Sequence, residues 1–165
     1  MIYLRVVAVV ALLLGASAGI AATRDDAEIQ RWINLHAQRS NSEELTLVRS
    51  SVVGDLDGDA RNDLAMLYTL RPRGGGERGE RRYLAAFKRQ RDRLHYHAHV
   101  LVGGSGAAEV NRATILDKTV VVEMLAHRAG DAACCPTRPA TRRYRLAPRG
   151  LVLVREPVKS RAGTP

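Results

Sequence analysis

Between residues 24 and 39, hydrophobic residues recur every three or four positions, which is the spacing of an amphipathic helix. Asp25 and Asp26 stand at the start of this segment, where negative charge suits the helix dipole. His36 falls on the same side as the apolar residues, which are Ile29, Trp32, Ile33 and Ala37. The pattern predicts one helix with a single apolar face, and that face needs a sheet to cover.

From residue 45 onward, the pattern changes to short apolar or alternating segments separated by turn residues, which is typical of β-strands. Residues 64–70 are apolar on both faces and are predicted to form a central strand. Short connections favour antiparallel pairing of successive strands. The predicted strands cover residues 45–53, 64–70, 83–89, 94–102, 110–116, 119–127, 141–146 and 151–154.

Together these elements predict an α+β fold, in which the N-terminal helix packs on an antiparallel β-meander of about seven or eight strands. The strands show no repeat of about 40 residues, which argues against a multi-blade propeller. The glycine-rich segments 71–79 and 103–106 fall between strands and are predicted to be a hairpin loop and a bulge or turn.

A separate hydrophobic run precedes the helix. Residues 1–5 form a short basic start, residues 6–14 are apolar, and residues 15–22 are mostly small. This is the organisation of a secretory signal peptide, and the apolar run is too short for a comfortable transmembrane helix. We therefore predict a signal peptide over 1–22, a single domain over 23–158 and a frayed tail over 159–165. The mature protein is expected to be periplasmic or secreted, without a membrane span.

An aspartate-rich loop lies between the first two predicted strands, with Gly58 at its sharp turn. Its carboxylates stand at positions 1, 3, 5 and 9, a spacing that can surround Ca²⁺ with oxygen ligands. Met66 at position 12 and a following strand distinguish it from an EF-hand. The alternative is a polar turn built on aspartates. The predicted ligands are Asp55, Asp57, Asp59, Arg61 through its backbone carbonyl, and Asp63.

These residues resemble a known family. The sequence Asp-Leu-Asp-Gly-Asp at 55–59, followed by Asp-Leu-Ala at 63–65, is similar to the Ca²⁺ loop of FG-GAP and VCBS repeats, which ties together two strands of a β-propeller blade. The likeness spans residues 52–70 and implies a structural Ca²⁺ site. Ala60 stands where these repeats usually have glycine, which implies a weaker site, and the loop occurs once. With its later Cys-Cys-Pro motif, the chain also resembles small exported bacterial proteins without an assigned activity.

The only cysteines, Cys134 and Cys135, are adjacent and are followed by Pro136. Free thiols do not persist in an oxidising compartment. A disulfide between neighbours is strained and comparatively reducible, because Cα atoms across a trans peptide are only about 3.8 Å apart. A vicinal disulfide that stiffens residues 130–141 is the main prediction. There are three alternatives. The vicinal disulfide could form the base of a ligand pocket or act as a redox switch, the cysteines could form an intermolecular disulfide, or they could be buried thiols.

His95, His97 and His99 alternate with apolar residues, so a regular strand would place all three imidazoles on one face. Two such imidazoles can bind Zn²⁺ or Cu²⁺, which makes this face a candidate second metal site. No cysteine or acidic residue at matching spacing completes the ligand set. A solvent-facing polar stripe is the favoured interpretation.

The chain carries a net charge of +9, and without Arg5 of the predicted signal peptide 25 basic residues face 17 acidic ones, a net charge of +8. A positive charge of this size favours binding to anionic envelope polymers. However, all basic residues except Lys88, Lys118 and Lys159 are arginine. These arginines are distributed along the whole chain, which is typical of a composition bias rather than of a binding patch. With one Trp, one Phe and five Tyr, stacking platforms for single-stranded nucleic acid are scarce.

Motifs of common enzymes are missing: there is no Gly-x-Ser-x-Gly elbow, no P-loop and no acid partner for Glu123, which we expect to face solvent. The leading hypothesis is an exported, Ca²⁺-stabilised accessory or binding domain of the bacterial envelope, with an envelope polymer or another envelope protein as partner. One alternative is a periplasmic enzyme or enzyme inhibitor that uses the Cys-Cys-Pro loop or the histidine strand. Another is an Arg-rich binder of anionic envelope polymers.

Overall fold

The computed structural model describes residues 16–74 and 79–154 of the chain. Within these ranges there is one α-helix, α1 (Ala16–Arg39), which confirms the predicted helix and begins before residue 24. Residues 1–15 of the predicted signal peptide and the predicted tail over 159–165 lie outside the described residues. In the described part of the chain, no helix has the length and apolar character needed to cross a membrane.

Nine strands follow α1 in these ranges, and they confirm the α+β class and the antiparallel meander. The count exceeds the prediction because residues 42–54 form two short strands on either side of a 3-10 turn at Thr46–Val48. The strands are β1 (Ser42–Glu44), β2 (Ser50–Gly54), β3 (Asp63–Pro72), β4 (Arg81–Gln90), β5 (Arg93–Gly104), β6 (Ala108–Leu116), β7 (Thr119–Ala126), β8 (Arg138–Ala147) and β9 (Gly150–Val154).

From β3 to β9 the strand order in the sheet follows the order in the sequence, and every pairing is antiparallel. β1 and β2 share one edge of β3: β1 pairs with residues 70–72 and β2 with residues 63–67. The aspartate loop therefore joins two strands that are hydrogen-bonded to each other, and Gly54 lies opposite Asp63 at its base.

The sheet bends between β5 and β6, which are joined by a single residue pair, Gly104 and Ala108. A Cβ atom on Gly103 would clash with the carbonyl oxygen of Ala108, and one on Gly104 would clash with that of Glu80. Gly104 also has a φ of 139°, which residues with a Cβ rarely adopt. Glycine is therefore required here, and the bend brings β6 against β2 and β9 against β5.

Two hydrophobic cores result from this arrangement. The first lies between the two halves of the bent sheet and includes Leu67 and Leu84 from one half and Val120 and Val122 from the other. The second lies between α1 and the outer face of β3 to β5, where Ile33 packs with residues such as Met66, Tyr68 and Phe87. Residues of β3 alternate between the two cores, which explains why its sequence is apolar on both faces.

Candidate functional site

Carboxylate groups converge in the aspartate loop between β2 and β3. Oxygen atoms of Asp55, Asp57 and Asp63 all lie within 4.8 Å of one another, so the three side chains can hold a metal ion. Asp59, a predicted ligand, lies outside this group and accepts a hydrogen bond from the backbone N–H of Arg61 at 2.9 Å. The structure thus brings together three of the four aspartates.

The loop is held in shape by its own side chains. Asp55 accepts hydrogen bonds from the backbone N–H groups of Gly58, at 2.6 Å, and Ala60, at 3.1 Å. Asp57 accepts one from the N–H of Asp59 at 3.1 Å. Gly58 and Ala60 both have positive φ angles, 91° and 63°. The two residues at the tip of the loop are therefore turned so that their N–H groups point back to the carboxylates.

Asp63 anchors the loop to the sheet. Its side chain is fully buried, and its two oxygen atoms accept hydrogen bonds from the backbone N–H groups of Leu56, at 2.9 Å, and Arg89, at 2.8 Å. A buried carboxylate is tolerated only when it is hydrogen-bonded in this way. Asp63 is the first residue of β3, and its side chain also connects the loop to β4.

Lysine side chains supply positive charge to the same loop. Lys88 on β4 places its Nζ atom 2.6 Å from Oδ2 of Asp57, and this contact lowers the pKa of Asp57 and raises that of Lys88. Lys118, in the turn between β6 and β7, reaches Gly58: a Cβ atom on this glycine would lie 2.5 Å from the lysine Nζ. The lysines of the described residues are these two, so both lie at the aspartate loop.

A cavity of about 860 Å³ lies away from the aspartate loop, beside the bend between β5 and β6. Its walls come from residues 45–50, from Thr69 and Arg82 on β3 and β4, from residues 104–111, and from the loop between β7 and β8. We call this cavity the cleft. The loop instead borders another, smaller cavity of about 550 Å³, to which Asp57, Lys88 and Lys118 contribute.

The predicted vicinal disulfide is present: Cys134 and Cys135 are joined to each other, in the loop between β7 and β8. Both cysteines are exposed, whereas Pro136 is buried, and Cys134 and Pro136 line the cleft. Asp131 holds this loop by accepting hydrogen bonds from Arg128 and Thr137, and the bond from the Arg128 N–H is the main cause of its lowered pKa. Of the two joined cysteines, Cys134 is thus the one that contributes to the cleft wall.

Arg82, which sequence reasoning did not single out, also lines the cleft. Its Nη1 atom donates a hydrogen bond to Oγ1 of Thr69 at 2.9 Å, while its buried Nε atom has no acceptor among the described residues. Burial lowers the pKa of Arg82. None of the ion pairs of the described residues includes it, although Glu80 and Glu109 line the same cleft. In a chain with 23 arginines, no pattern marks this one.

The histidines of β5 do not share one face. Ala86 pairs with Ala98 and Phe87 with Tyr96, so His97 is an extra residue in a β-bulge. His97 contacts the carbonyl oxygen of Ala147 at 2.8 Å, whereas the ring of His99 lies against α1, 5.2 Å from that of Trp32. The prediction that all three imidazoles share one face of the strand is therefore wrong. In the described residues these imidazoles belong to no group of three or more side chains that could hold a metal ion.

On the helix side of the sheet, His36 and His99 form part of an aromatic cluster. Their ring centroids are 4.5 Å apart, Nδ1 of His36 lies 2.9 Å from the Tyr68 hydroxyl, and Nδ1 of His99 lies 2.7 Å from that of Tyr96. Burial, together with the nearby His99, lowers the pKa of His36 to about 4, and burial lowers that of His99. The imidazole of His36 is therefore held neutral near pH 7 where α1 packs on the sheet.

Glu123 faces solvent as expected. It forms an ion pair with Arg112 on the neighbouring strand β6, with Nη2 and Oε1 2.8 Å apart, and this arginine lowers its pKa. Arg112 and Glu123 face each other across the ladder, which is a common surface pairing of opposite charges. Glu123 is therefore not part of an acid-base pair in the described structure.

Comparisons of the chain with family models, with curated proteins and with solved structures returned no match. The likeness to FG-GAP and VCBS repeats thus remains a similarity of residues 52–70.

Proposed function

We propose that this chain is an exported, non-catalytic binding domain of the bacterial envelope, in which Ca²⁺ at the aspartate loop stabilises the fold and the cleft carries the binding function. The observation that supports it is the separation of the two features: the carboxylate cluster joins β2 to β3, while the cleft lies at the bend of the sheet. We infer that a metal site outside the cleft acts on stability rather than on a ligand bound in the cleft.

The carboxylate cluster fits a hard cation. Asp55, Asp57 and Asp63 offer oxygen atoms only, which Ca²⁺ prefers. Both oxygens of Asp63 already accept a backbone N–H, but each keeps a second lone pair for a cation. The ammonium group of Lys88 at Asp57 indicates that the cluster requires positive charge. These residues would hold the ion, and the ion would neutralise their mutual repulsion.

Export is supported by the cysteines together with the pattern of residues 1–22. An exposed disulfide between Cys134 and Cys135 is at risk of reduction in a cytosol that contains glutathione and thioredoxin. It persists in an oxidising compartment such as the periplasm. That compartment is also where a weak Ca²⁺ site would be filled.

Thermal unfolding of the chain from residue 23 onward, in Ca²⁺ or in EDTA, tests the proposal. At about one hundred times its Kd, bound Ca²⁺ adds roughly 2.7 kcal/mol to the free energy of unfolding, so Tm should rise by roughly 10 °C. Asp57→Asn should abolish the Ca²⁺-dependent rise, whereas Asp92→Asn, in the exposed turn between β4 and β5, should retain it. Equal Tm values in Ca²⁺ and EDTA for the unsubstituted chain would overturn the metal site.

The Cys-Cys-Pro loop supports a second candidate, an enzyme or enzyme inhibitor, because Cys134 and Pro136 line the cleft. The other groups proposed for such a site lie elsewhere: His99 faces α1, His97 borders the smaller cavity, and Glu123 pairs with Arg112. Among the histidines of the described residues, His127 lines the cleft with Cys134, whereas the histidine strand and Glu123 do not contribute to it.

A further inference from the structure

Two histidines from different elements meet where α1 packs on the sheet. His36 lies on α1 and His99 on β5, and their ring centroids are 4.5 Å apart with the ring planes inclined at 47°. The hydrogen-bond partner of each ring is a tyrosine hydroxyl, and no ion pair of the described residues includes either ring. The fold therefore brings together two imidazoles that no carboxylate occupies.

The hydrogen bonds leave the same nitrogen free on both rings. Nδ1 of His36 lies 2.9 Å from the Tyr68 hydroxyl, and Nδ1 of His99 lies 2.7 Å from the Tyr96 hydroxyl. No hydrogen bond of the described residues reaches Nε2 of either ring. Histidines that bind a metal usually donate the other ring N–H to an oxygen, which fixes the tautomer and the ring orientation. Both imidazoles are therefore held as metal-binding histidines are.

The spacing of the two rings suits one metal ion between them. With metal–nitrogen bonds of about 2.0–2.1 Å, two imidazoles on one ion have centroids about 4.5 Å apart for a right angle at the metal and about 5 Å apart for a tetrahedral angle. The observed separation of 4.5 Å corresponds to the right angle. Neighbouring ligands of tetragonal Cu²⁺ meet at this angle, and Cu²⁺ binds imidazole nitrogen more tightly than the other divalent first-row metals do.

The two rings are accessible to an ion from solvent, because His99 is exposed and His36 is half-buried. A ring must be neutral to bind a metal, and His36 meets this requirement near pH 7 because burial lowers its pKa. Among the described residues, no cysteine or carboxylate joins the two rings in a group of three metal-binding side chains. Water or a small ligand would therefore take the remaining coordination positions.

We propose that His36 and His99 bind Cu²⁺ through their Nε2 atoms, while the hydroxyls of Tyr68 and Tyr96 hold the two rings in place. The site shares no residue with the carboxylate cluster or with the cleft. It also differs from the site predicted on β5, because only His99 of the three strand histidines belongs to it. The bound ion links α1 to β5 and keeps coordination positions open to solvent.

The single tryptophan of the chain reports on this site. The ring centroid of Trp32 lies 5.3 Å from that of His36 and 5.2 Å from that of His99, so bound Cu²⁺ should quench its fluorescence. The untagged chain from residue 23 onward is titrated with copper sulfate at pH 7, with excess Ca²⁺ to occupy the aspartate loop. The closed disulfide leaves no thiol to bind copper.

We expect saturable quenching with one equivalent of Cu²⁺, reversal by EDTA, and weaker binding of Zn²⁺ in competition. No saturable quenching would overturn the site. Tighter binding of Zn²⁺ than of Cu²⁺ would overturn the choice of metal.

Substitutions on α1 and β5 assign the ligands. His36→Gln and His99→Gln should each weaken Cu²⁺ binding by at least about tenfold, and Tyr96→Phe, which removes the hydroxyl at Nδ1 of His99, by about tenfold. His95→Gln, at an exposed position of the same strand, should leave the affinity unchanged. If His36→Gln does not fold, His99→Gln at its exposed position still tests the pair. Unchanged affinity in His99→Gln, or a loss confined to His95→Gln, would overturn the assignment.

Electron paramagnetic resonance identifies the ligands independently of affinity. The spectrum of bound Cu²⁺ should show coupling to two imidazole nitrogens in the unsubstituted chain and to one in His99→Gln. Coupling to a single nitrogen in the unsubstituted chain would contradict the pair. The Ca²⁺-dependent Tm is recorded for each variant: loss of Cu²⁺ binding with an intact Ca²⁺ response concerns the two histidines alone, and loss of the Ca²⁺ response with intact Cu²⁺ binding concerns the aspartate loop alone.

Discussion

Ala60 holds a left-handed backbone conformation, with a φ of 63°, at the tip of the aspartate loop. This conformation costs a residue with a Cβ atom about 1–2 kcal/mol, whereas glycine adopts it without that cost. Ala60→Gly should therefore raise the free energy of unfolding by about 0.5–1 kcal/mol in urea titrations. Ala132→Gly, at an exposed position without a positive φ, should not raise it. A less stable Ala60→Gly chain would contradict this account of the loop.

Lys88 and a metal ion compete for the same carboxylate, since the lysine Nζ lies 2.6 Å from Oδ2 of Asp57. Lys88→Gln should therefore lower the stability of the chain in EDTA and tighten Ca²⁺ binding, because the ion no longer displaces an ammonium group. Calorimetric titration with Ca²⁺ measures the second effect, with Arg93→Gln, at an exposed position of β5, as the control for the change in net charge. Unchanged or weaker Ca²⁺ affinity in Lys88→Gln would show that the two cations do not compete.

At the scale of elements, the contact between α1 and β5 should depend on pH through His36. Its pKa is lowered to about 4, so below pH 6.5 the unfolded chain binds a proton that the folded chain excludes. The contribution of neutral His36 to the free energy of unfolding is therefore fully present above about pH 6.5, and it is lost as the pH drops toward 4. The loss should be about 1–2 kcal/mol, because the ring is only partly buried and solvent reduces the effect. His99, with its lowered pKa, adds to the loss in the same direction.

Urea unfolding between pH 4 and pH 8 measures this dependence. His36→Gln should flatten the curve of unfolding free energy against pH, whereas His95→Gln, at an exposed position of the same strand as His99, should leave its slope unchanged. The groups that face His36 are Tyr68, Tyr83 and His99, besides Trp32 on its own helix. An equally steep curve for His36→Gln would assign the pH dependence to another group.

The helix and strands that could be predicted from the sequence are those determined by the pattern of hydrophobic and polar residues within one segment. The apolar spacing of α1 and the hairpin order of the strands follow from neighbouring residues, and both appear in the structure. β1 was not predicted, because it is three residues long and only Ser42 is buried. The bulge at His97 was not predicted either, because its cause lies in the pairing of Phe87 with Tyr96 on two different strands.

At the scale of the whole molecule, the cleft follows from tertiary structure that no single segment shows. It needs the bend at Gly103 and Gly104, the 3-10 turn before β2 and the Cys-Cys-Pro loop to meet, and these lie far apart in the sequence. The aspartate spacing and the adjacent cysteines could be interpreted from the sequence because each is local. Arg82 could not, because its unusual environment depends on burial against other strands.

The exposed disulfide makes the redox state of the whole molecule depend on its compartment. When the full chain is exported from a bacterial cell, intact-mass measurement should find a monomer cleaved near residue 22 and lighter than its reduced form by two hydrogen masses. The same domain produced from residue 23 in a reducing cytoplasm should carry two free thiols, because the cysteines are exposed to thiol exchange. A retained N-terminus would contradict the signal peptide, and a disulfide-linked dimer would contradict the intramolecular ring as the exported state. A closed disulfide in both compartments would instead show that the bond between the two cysteines resists cellular reductants.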